Sequence, residues 1–271
     1  MSSLPEFRTL LEATGLPRFE LPTALASSYG AFGLPDQVRY ANFVASVDGV
    51  VAVPELAKSS AVISGGSPAD RFLVALLRAC ADAVVVGAGT FRAHSGPWTA
   101  AKAYPDAASD FAELRRLLGL APQPRLVVVT GSGRLGASRA KLAGAIVATT
   151  AAGAQRARES VAPDTEIVTV PGGEELDPAA VFAMLAERRQ QRILTEGGPQ
   201  LMGQLVQAGS VDELFLTVSP LLTGGGKEPR PVLTADVDLL SGGPVPAELA
   251  SVRSHESYLF LRYLLGPQPR P

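Results

Sequence analysis

Three short glycine-rich turns interrupt apolar runs in this chain: "VVVGAGT" (Val84–Thr90), "VVVTGSGR" (Val127–Arg134) and "TEGGP" (Thr195–Pro199). Each places small residues and free backbone amides where a strand hands over to a helix, and such amides hold anions without a Cβ in the way. The middle turn adds two hydroxyls and an arginine, Thr130, Ser132 and Arg134, which suit a terminal phosphate such as the 2′-phosphate of NADP. One turn of this kind is ordinary loop geometry, whereas three at equivalent strand ends suit the long anionic body of a dinucleotide. None has the G-x-x-x-x-G-K-[ST] spacing, so a dinucleotide here implies no P-loop.

Three carboxylates stand near such turns. Asp48 in "SVDGV" reads as a turn former, because Asp-Gly between two extended runs signals a hairpin. Asp70 falls in the first turn of an amphipathic helix, where it either complements the helix dipole or faces the cleft and pairs with the N–H edge of a pyrimidine or pteridine ring. Glu196, at a strand end before Gly197 and Gly198, carries the same two readings. His94 and His255 read as solvated loop residues, and Cys80 as a plain buried cysteine. There is no G-x-S-x-G, and one cysteine with two histidines gives no metal centre. Hydride transfer needs no triad and no metal, only a nicotinamide held against its acceptor in a dry cleft with a proton donor nearby.

The elements that must position these residues alternate. "SPADRFLVALLRACA" has Ser67 as N-cap, Pro68 in the first helical position and apolar residues at helical spacing, and it runs into the short buried strand "DAVVVG". Helix "ASDFAELRRLLG", strands "PRLVVVT" and "GAIVATT", helix "AGAQRARESV" and strand "TEIVTVP" follow. Helix "LDPAAVFAMLAERRQ", strand "RILTE", helix "PQLMGQLVQAG" and strands "DELFLTVSP" and "SYLFLRYLL" complete the series, with "VRYANFVAS" and "VVAV" as strands at its start. Unbroken apolar strands alternating with helices predict an α/β fold: a mostly parallel central sheet, helices on both faces and an antiparallel edge. Residues 1–36, rich in Pro, Gly and Ser around the amphipathic "EFRTLLEAT", read as an arm on a single domain spanning 37–271. Pro220 to Pro244 carries loop chemistry.

The 271 residues are 46% hydrophobic and 18% charged with a formal net charge of −2, the profile of a soluble globular protein with a large core and no footprint for nucleic acid. The chain shows neither a membrane-spanning run nor the order of a secretory signal, which gives a cytoplasmic expectation.

"ANFVASVDGVVA", "ISG", "LLRACADAVVVGAGTFRA" and "ILTEGGPQLMGQLVQAGSVDELFLTVSPLLTGGG", in that order, resemble the pyrimidine reductase family of riboflavin biosynthesis. The resemblance implies a dihydrofolate reductase-like fold, NADPH, a homodimer, and reduction of the ribose of a 5-amino-6-(5-phosphoribosylamino)uracil-like intermediate. It implies that Ala45, Gly87, Ala88, Gly89 and Thr90 bind the cofactor together with Gly197, Gly198, Pro199, Gln200 and Leu201, the glycine turns holding the diphosphate. Thr130, Ser132, Gly133 and Arg134 take the 2′-phosphate, and Asn42, Ser46, Asp48 and Arg78 meet substrate beside the catalytic Asp70 and Glu196. The segment "RAHSGPWTAAKAY" departs from the family by lacking the Asp-x-Pro-x-Leu pattern and the arginine for the substrate phosphate. By contrast, "PADRFLVALL" resembles the dihydrofolate reductase segment whose Pro-x-Asp carboxylate binds a pteridine. A pteridine or dihydrofolate reductase using Asp70, and a non-catalytic NADP-binding dimer, are the alternatives.

Overall fold

A computed structural model describes residues 4–53, 56, 59–94, 96–136, 142–171, 176–227 and 229–266. Its centre is β2 (Val38–Ser46), parallel to β7 (Arg192–Thr195) on one side and to β8 (Glu213–Ser219) on the other. Beyond β7 the sheet continues in parallel through β3 (Ala83–Gly87), β4 (Arg125–Thr130), β5 (Ile146–Thr149) and β6 (Glu166–Thr169). Beyond β8 it turns antiparallel through β10 (Tyr258–Leu265), β9 (Ala247–His255) and β1 (Arg8–Glu12). The α/β expectation therefore holds, with an antiparallel wing wider than a single edge strand.

Helices lie on both faces. One core gathers α1 (Thr23–Tyr29), α3 (Pro68–Cys80) and α6 (Ala108–Leu117) over Tyr40, Val84, Val128, Leu194, Phe215 and Phe260. The opposite core packs α8 (Pro178–Glu187) and α9 (Pro199–Gln207) against Ala41, Val85, Val127, Ile193 and Leu214. The period-2 alternation of the strands divides these sets, so Asn42 shares the α3 face with Tyr40, Thr217 with Phe215, and Glu196 with Leu194.

Helix α3 forms as the sequence dictates. The Ser67 hydroxyl accepts from the Asp70 amide at 3.3 Å, Pro68 opens the helix, and Phe72, Leu73, Leu76 and Leu77 are fully buried. Each such side chain contributes about 1.5–3 kcal/mol of apolar burial. Arg115 closes the far end, its Nη1 donating to the carbonyls of Arg78, Ala79 and Ala81. Cys80 is fully buried, which pushes its thiol up to about 12 and leaves it inert.

Three segments depart from the sequence reading. "VVAV" is no strand, because Ser46 and Val50 close a turn and the next backbone partners lie in the loop after β8, at Leu221 and Pro231. The start of "EFRTLLEAT" is strand β1, paired with β9, and β9 itself was hidden because two of its buried positions are the polar Ser251 and Arg253. Phe7 meets Tyr29, Phe72 and Phe260 inside the α3-side core. The shorter helices are α2 (Ser59–Ile63), α4 (Ala88–Ala93), α5 (Ala100–Ala103) and α7 (Ala151–Arg158). Among the described residues no helix is long and apolar enough to cross a membrane.

The antiparallel wing is held by a buried ion pair. Arg262 of β10 grips both oxygens of Glu213 on β8 at 2.8 and 3.0 Å and also donates to the Gly33 carbonyl. Arg262→Met leaves Glu213 buried without its partner and is expected to cost about 3–5 kcal/mol in urea denaturation. The double variant Arg262→Met/Glu213→Leu is expected to recover most of that loss.

Candidate active site

The carboxyl ends of β7, β3 and β4 are neighbours in the sheet, so the three glycine turns come together. Those after β3 and β7 nearly touch: a Cβ added at Gly198 would lie 3.4 Å from the Thr90 hydroxyl, and one at Gly87 would lie 3.9 Å from Leu201. Pro199 opens α9, and its N-cap Gly198 makes no side-chain capping bond, which leaves amides of the first turn for another acceptor. Gln200 is exposed and donates to Asp236 at 2.7 Å, while Leu201 is buried against the turn at Gly197.

The turn after β4 is braced from within. Thr130 Oγ1 accepts from the Gly133 amide at 3.1 Å, and Ser132 Oγ accepts from the Arg134 amide at 3.3 Å. Gly133 has φ +69°, and a Cβ there would sit 2.0 Å from the Gly153 carbonyl oxygen, so the turn packs backbone to backbone on α7. No other residue fits that contact. Arg134 and Ser132 are exposed at its tip.

Asp70 and Glu196 lie on the same side of the sheet, and their surroundings differ sharply. The partner of Glu196, open in the sequence, is Arg78 of α3: Nε donates to one carboxylate oxygen at 2.8 Å and Nη2 to the other at 2.6 Å. Arg78 is buried and Glu196 largely so; Glu196 is clamped, and Arg78 is spent on it and on the Thr99 carbonyl, 3.4 Å away. Asp70, only 8% exposed, has no ion pair among the described residues. Burial pushes its carboxyl up to about 6; the Thr217 hydroxyl beside it works against the shift, the charge of Glu196 adds to it, and Arg71 opposes it.

Three polar atoms near this face lack partners among the described residues: Asn42 Oδ1, Thr217 Oγ1 and Ser219 Oγ, all shielded from solvent. A buried polar group without a partner is costly, and a cluster of them on adjacent strands marks where a ligand's polar edge belongs. Asn42 was legible in the sequence; Thr217 and Ser219 were missed, although their spacing of two in "LTVSP" was the signal. Tyr258 of β10 was missed too. Its hydroxyl donates to the Ser64 carbonyl at 3.0 Å, within the field of Asp70, and fits only because Gly65 lacks a Cβ.

Ser46 and Asp48 are occupied elsewhere. Ser46 Oγ donates to Asp48, whose carboxylate accepts from the amides of Thr223 and Gly224; these bonds hold it down to about 2. Asp48 thus ties the turn after β2 to the loop after β8, and no second strand follows it. Ala45 is buried in β2. His94 is not a solvated loop residue: its ring packs on Trp98 at 4.3 Å, and Trp98 stacks on Phe91. His255 Nδ1 lies 2.8 Å from the Glu6 carbonyl.

Residues 39–254 match the family model described as the RibD C-terminal domain. The chain is 28% identical over 193 residues to a 2,5-diamino-6-ribosylamino-4(3H)-pyrimidinone 5′-phosphate reductase of Archaeoglobus fulgidus, covering 70% of this chain and 83% of that one. Its fold is similar to that of a pyrimidine reductase-like protein of Corynebacterium diphtheriae, with TM-score 0.71, 23% identity, and coverage of 90% of this chain and 99% of the other. It is also similar to the diaminohydroxyphosphoribosylaminopyrimidine deaminase/5-amino-6-(5-phosphoribosylamino)uracil reductase of Thermotoga maritima, with TM-score 0.58 and 20% identity. That match covers 85% of this chain and 57% of the other.

The environment of Asp70 sets a stability signature. Its carboxyl is raised in the folded state from 3.8 to about 6, so folding carries little penalty from it below the lower value, where both states are protonated, and a penalty that grows between the two and levels off above about 6. Asp70→Asn is expected to stabilise the protein at pH 7.5 by roughly 1–3 kcal/mol and by far less at pH 4.5. Urea midpoints at the two pH values measure this, and an equal effect at both would contradict the buried-carboxyl origin.

Proposed function

The chain belongs to the RibD C-terminal domain family, and from that premise we propose that it is an NADPH-dependent pyrimidine reductase acting on a phosphoribosylamino-pyrimidine of riboflavin biosynthesis. The observation that carries this is the raised carboxyl of Asp70, set among the unpartnered Asn42, Thr217 and Ser219 beside three converging glycine turns. Family membership favours this substrate over a pteridine and over a protein that only binds.

The residues fit a dinucleotide. A Cβ at Gly89 or Gly131 would meet nothing within 4 Å, so both turns border open space, and the amides at the start of α9 have no side-chain cap. Gly87–Thr90 and Gly197–Leu201 would hold the diphosphate between them, and Thr130–Arg134 the 2′-phosphate. When bound, the reduced nicotinamide supplies the hydride.

Converting the ribose to a ribityl chain requires a hydride at C1′ and a proton on the ring oxygen as the C1′–O bond opens. Asp70 is the proton donor: a carboxyl at about 6 keeps part of its population protonated near neutrality, and it faces the substrate side. Glu196 is a positioning residue fixed by Arg78, and its negative charge adds to the burial that raises Asp70. Asn42, Thr217 and Ser219 meet the polar edge of the pyrimidine. Ser46 and Asp48 shape that wall through the loop after β8 rather than by contact. We also assign the working form as a cytoplasmic homodimer, with residues 1–36 as an arm on the reductase domain.

Oxidation of NADPH with the phosphoribosylamino-pyrimidine, followed at 340 nm (the NADPH absorption band), is the direct test. Turnover of dihydrofolate and not of the pyrimidine would move the substrate to the pteridines; tight NADPH binding without either turnover would leave a binding protein. Asp70→Asn is expected to lower kcat by about 10²–10⁴-fold, the usual worth of a general acid. Turnover is expected to fall as pH rises through about 6, as the acid is lost. Glu196→Gln is expected to move that fall to lower pH, because it removes a charge that raises Asp70.

A further inference from the structure

The β4 turn is approached by cations from two other elements. Arg156 of α7 donates from Nη1 to the Ser132 carbonyl at 2.6 Å, and Arg92 of α4 donates from Nη1 to the Arg134 carbonyl at 2.9 Å. With Arg134 itself, three guanidinium groups surround a turn of five residues in a chain whose net charge is −2. None of the three forms an ion pair among the described residues, whereas Arg78, Arg125, Arg188, Arg253 and Arg262 all do.

Helix α7, which carries Arg156, is seated closely on the turn. Gly153 presses on the turn so closely that a Cβ there would lie 2.6 Å from the Gly131 carbonyl oxygen and 3.0 Å from the Gly133 amide. Arg156 follows three residues later on the same face of α7, so the contact that seats the helix also delivers the guanidinium. Thr150 locks the junction, its hydroxyl donating to the Gly131 carbonyl at 2.8 Å and accepting from the Gly153 amide at 3.0 Å. A guanidinium has five N–H donors, and a turn carbonyl uses one of them.

We propose that Arg156, assisted by Arg92, completes the 2′-phosphate site and sets the preference for the phosphorylated coenzyme. This rests on the reading of Thr130–Arg134 as the 2′-phosphate turn. A phosphate monoester carries nearly two charges at neutral pH, so one arginine leaves it half neutralised. Arg156 and Arg92 supply the remainder from helices held against the turn.

Equilibrium binding of 2′,5′-ADP and 5′-ADP to the whole chain, by calorimetry, tests this without turnover. Arg156→Ala is expected to weaken 2′,5′-ADP by about tenfold or more and 5′-ADP by less than about twofold, as loss of a charge-assisted hydrogen bond predicts. Arg92→Ala is expected to act in the same sense with a smaller loss. Arg156→Lys is expected to retain part of the discrimination, and the loss in Arg156→Ala to shrink as salt rises. Equal weakening of both nucleotides would overturn the proposal, since it would mean that Arg156 only shapes the turn; so would unchanged 2′,5′-ADP binding. Arg134→Ala separates the two readings. If it spares 2′,5′-ADP and the unaltered protein binds both nucleotides equally, the 2′-phosphate turn itself is misassigned. If Arg134→Ala discriminates and Arg156→Ala does not, only the role of Arg156 falls.

Discussion

The bidentate pair between Arg78 and Glu196 is the joint on which the candidate site turns. Arg78 belongs to the helix that carries Asp70 in its first turn, and Glu196 immediately precedes the glycines that open α9. One interaction therefore fixes Asp70 and the glycine turn before α9 relative to each other. Two buried charges lose much of their hydration, so the pair adds little to stability; what it supplies is placement, since the planar fork of arginine admits one orientation of the carboxylate. The same negative charge adds to the burial that raises the neighbouring Asp70, so the contact that sets geometry also contributes to acidity.

Much of this was legible from residue types. The caps Ser67 and Asp177 each accept the amide bond expected of them, and the glycine turns sit where their flanking apolar runs required. Long-range pairing was not legible: nothing in "ILTEGG" announces an arginine in "LLRAC", because the two meet only through the order in which strands stack. The polar interior of β9 defeated hydrophobic patterning, as Arg253 is buried against the Tyr29 ring and reaches Glu12 at 2.6 Å. Asp48 shows the opposite case. As a turn former it was readable, but the loop that gives it work lies 175 residues away in sequence.

The two halves of the sheet divide the labour. The parallel half, with β7, β3 and β4, presents backbone amides and glycines, which recognise phosphate wherever a strand ends beside a helix. The seam between β2 and β8 presents side chains instead, Asn42, Thr217 and Ser219, which take no part in the backbone ladder. A fold built this way changes its substrate by changing a few inward residues on two strands while the cofactor turns stay as they are.

The central place of β2 also bears on how the chain folds. Its partners are β7 and β8, and the Arg39–Asp212 bonds beside that seam close a loop of 173 residues. The units β3–α4 and β4–β5–α7 close over shorter distances and can collapse while the later sequence is still being synthesised. Asp70 and Asn42 precede Thr217 in the chain and meet it only once β8 is in place. Chain order thus lets the glycine turns after β3 and β4 close before the turn after β7 and the seam with β8, and it leaves β2 without its strand partners until both are made.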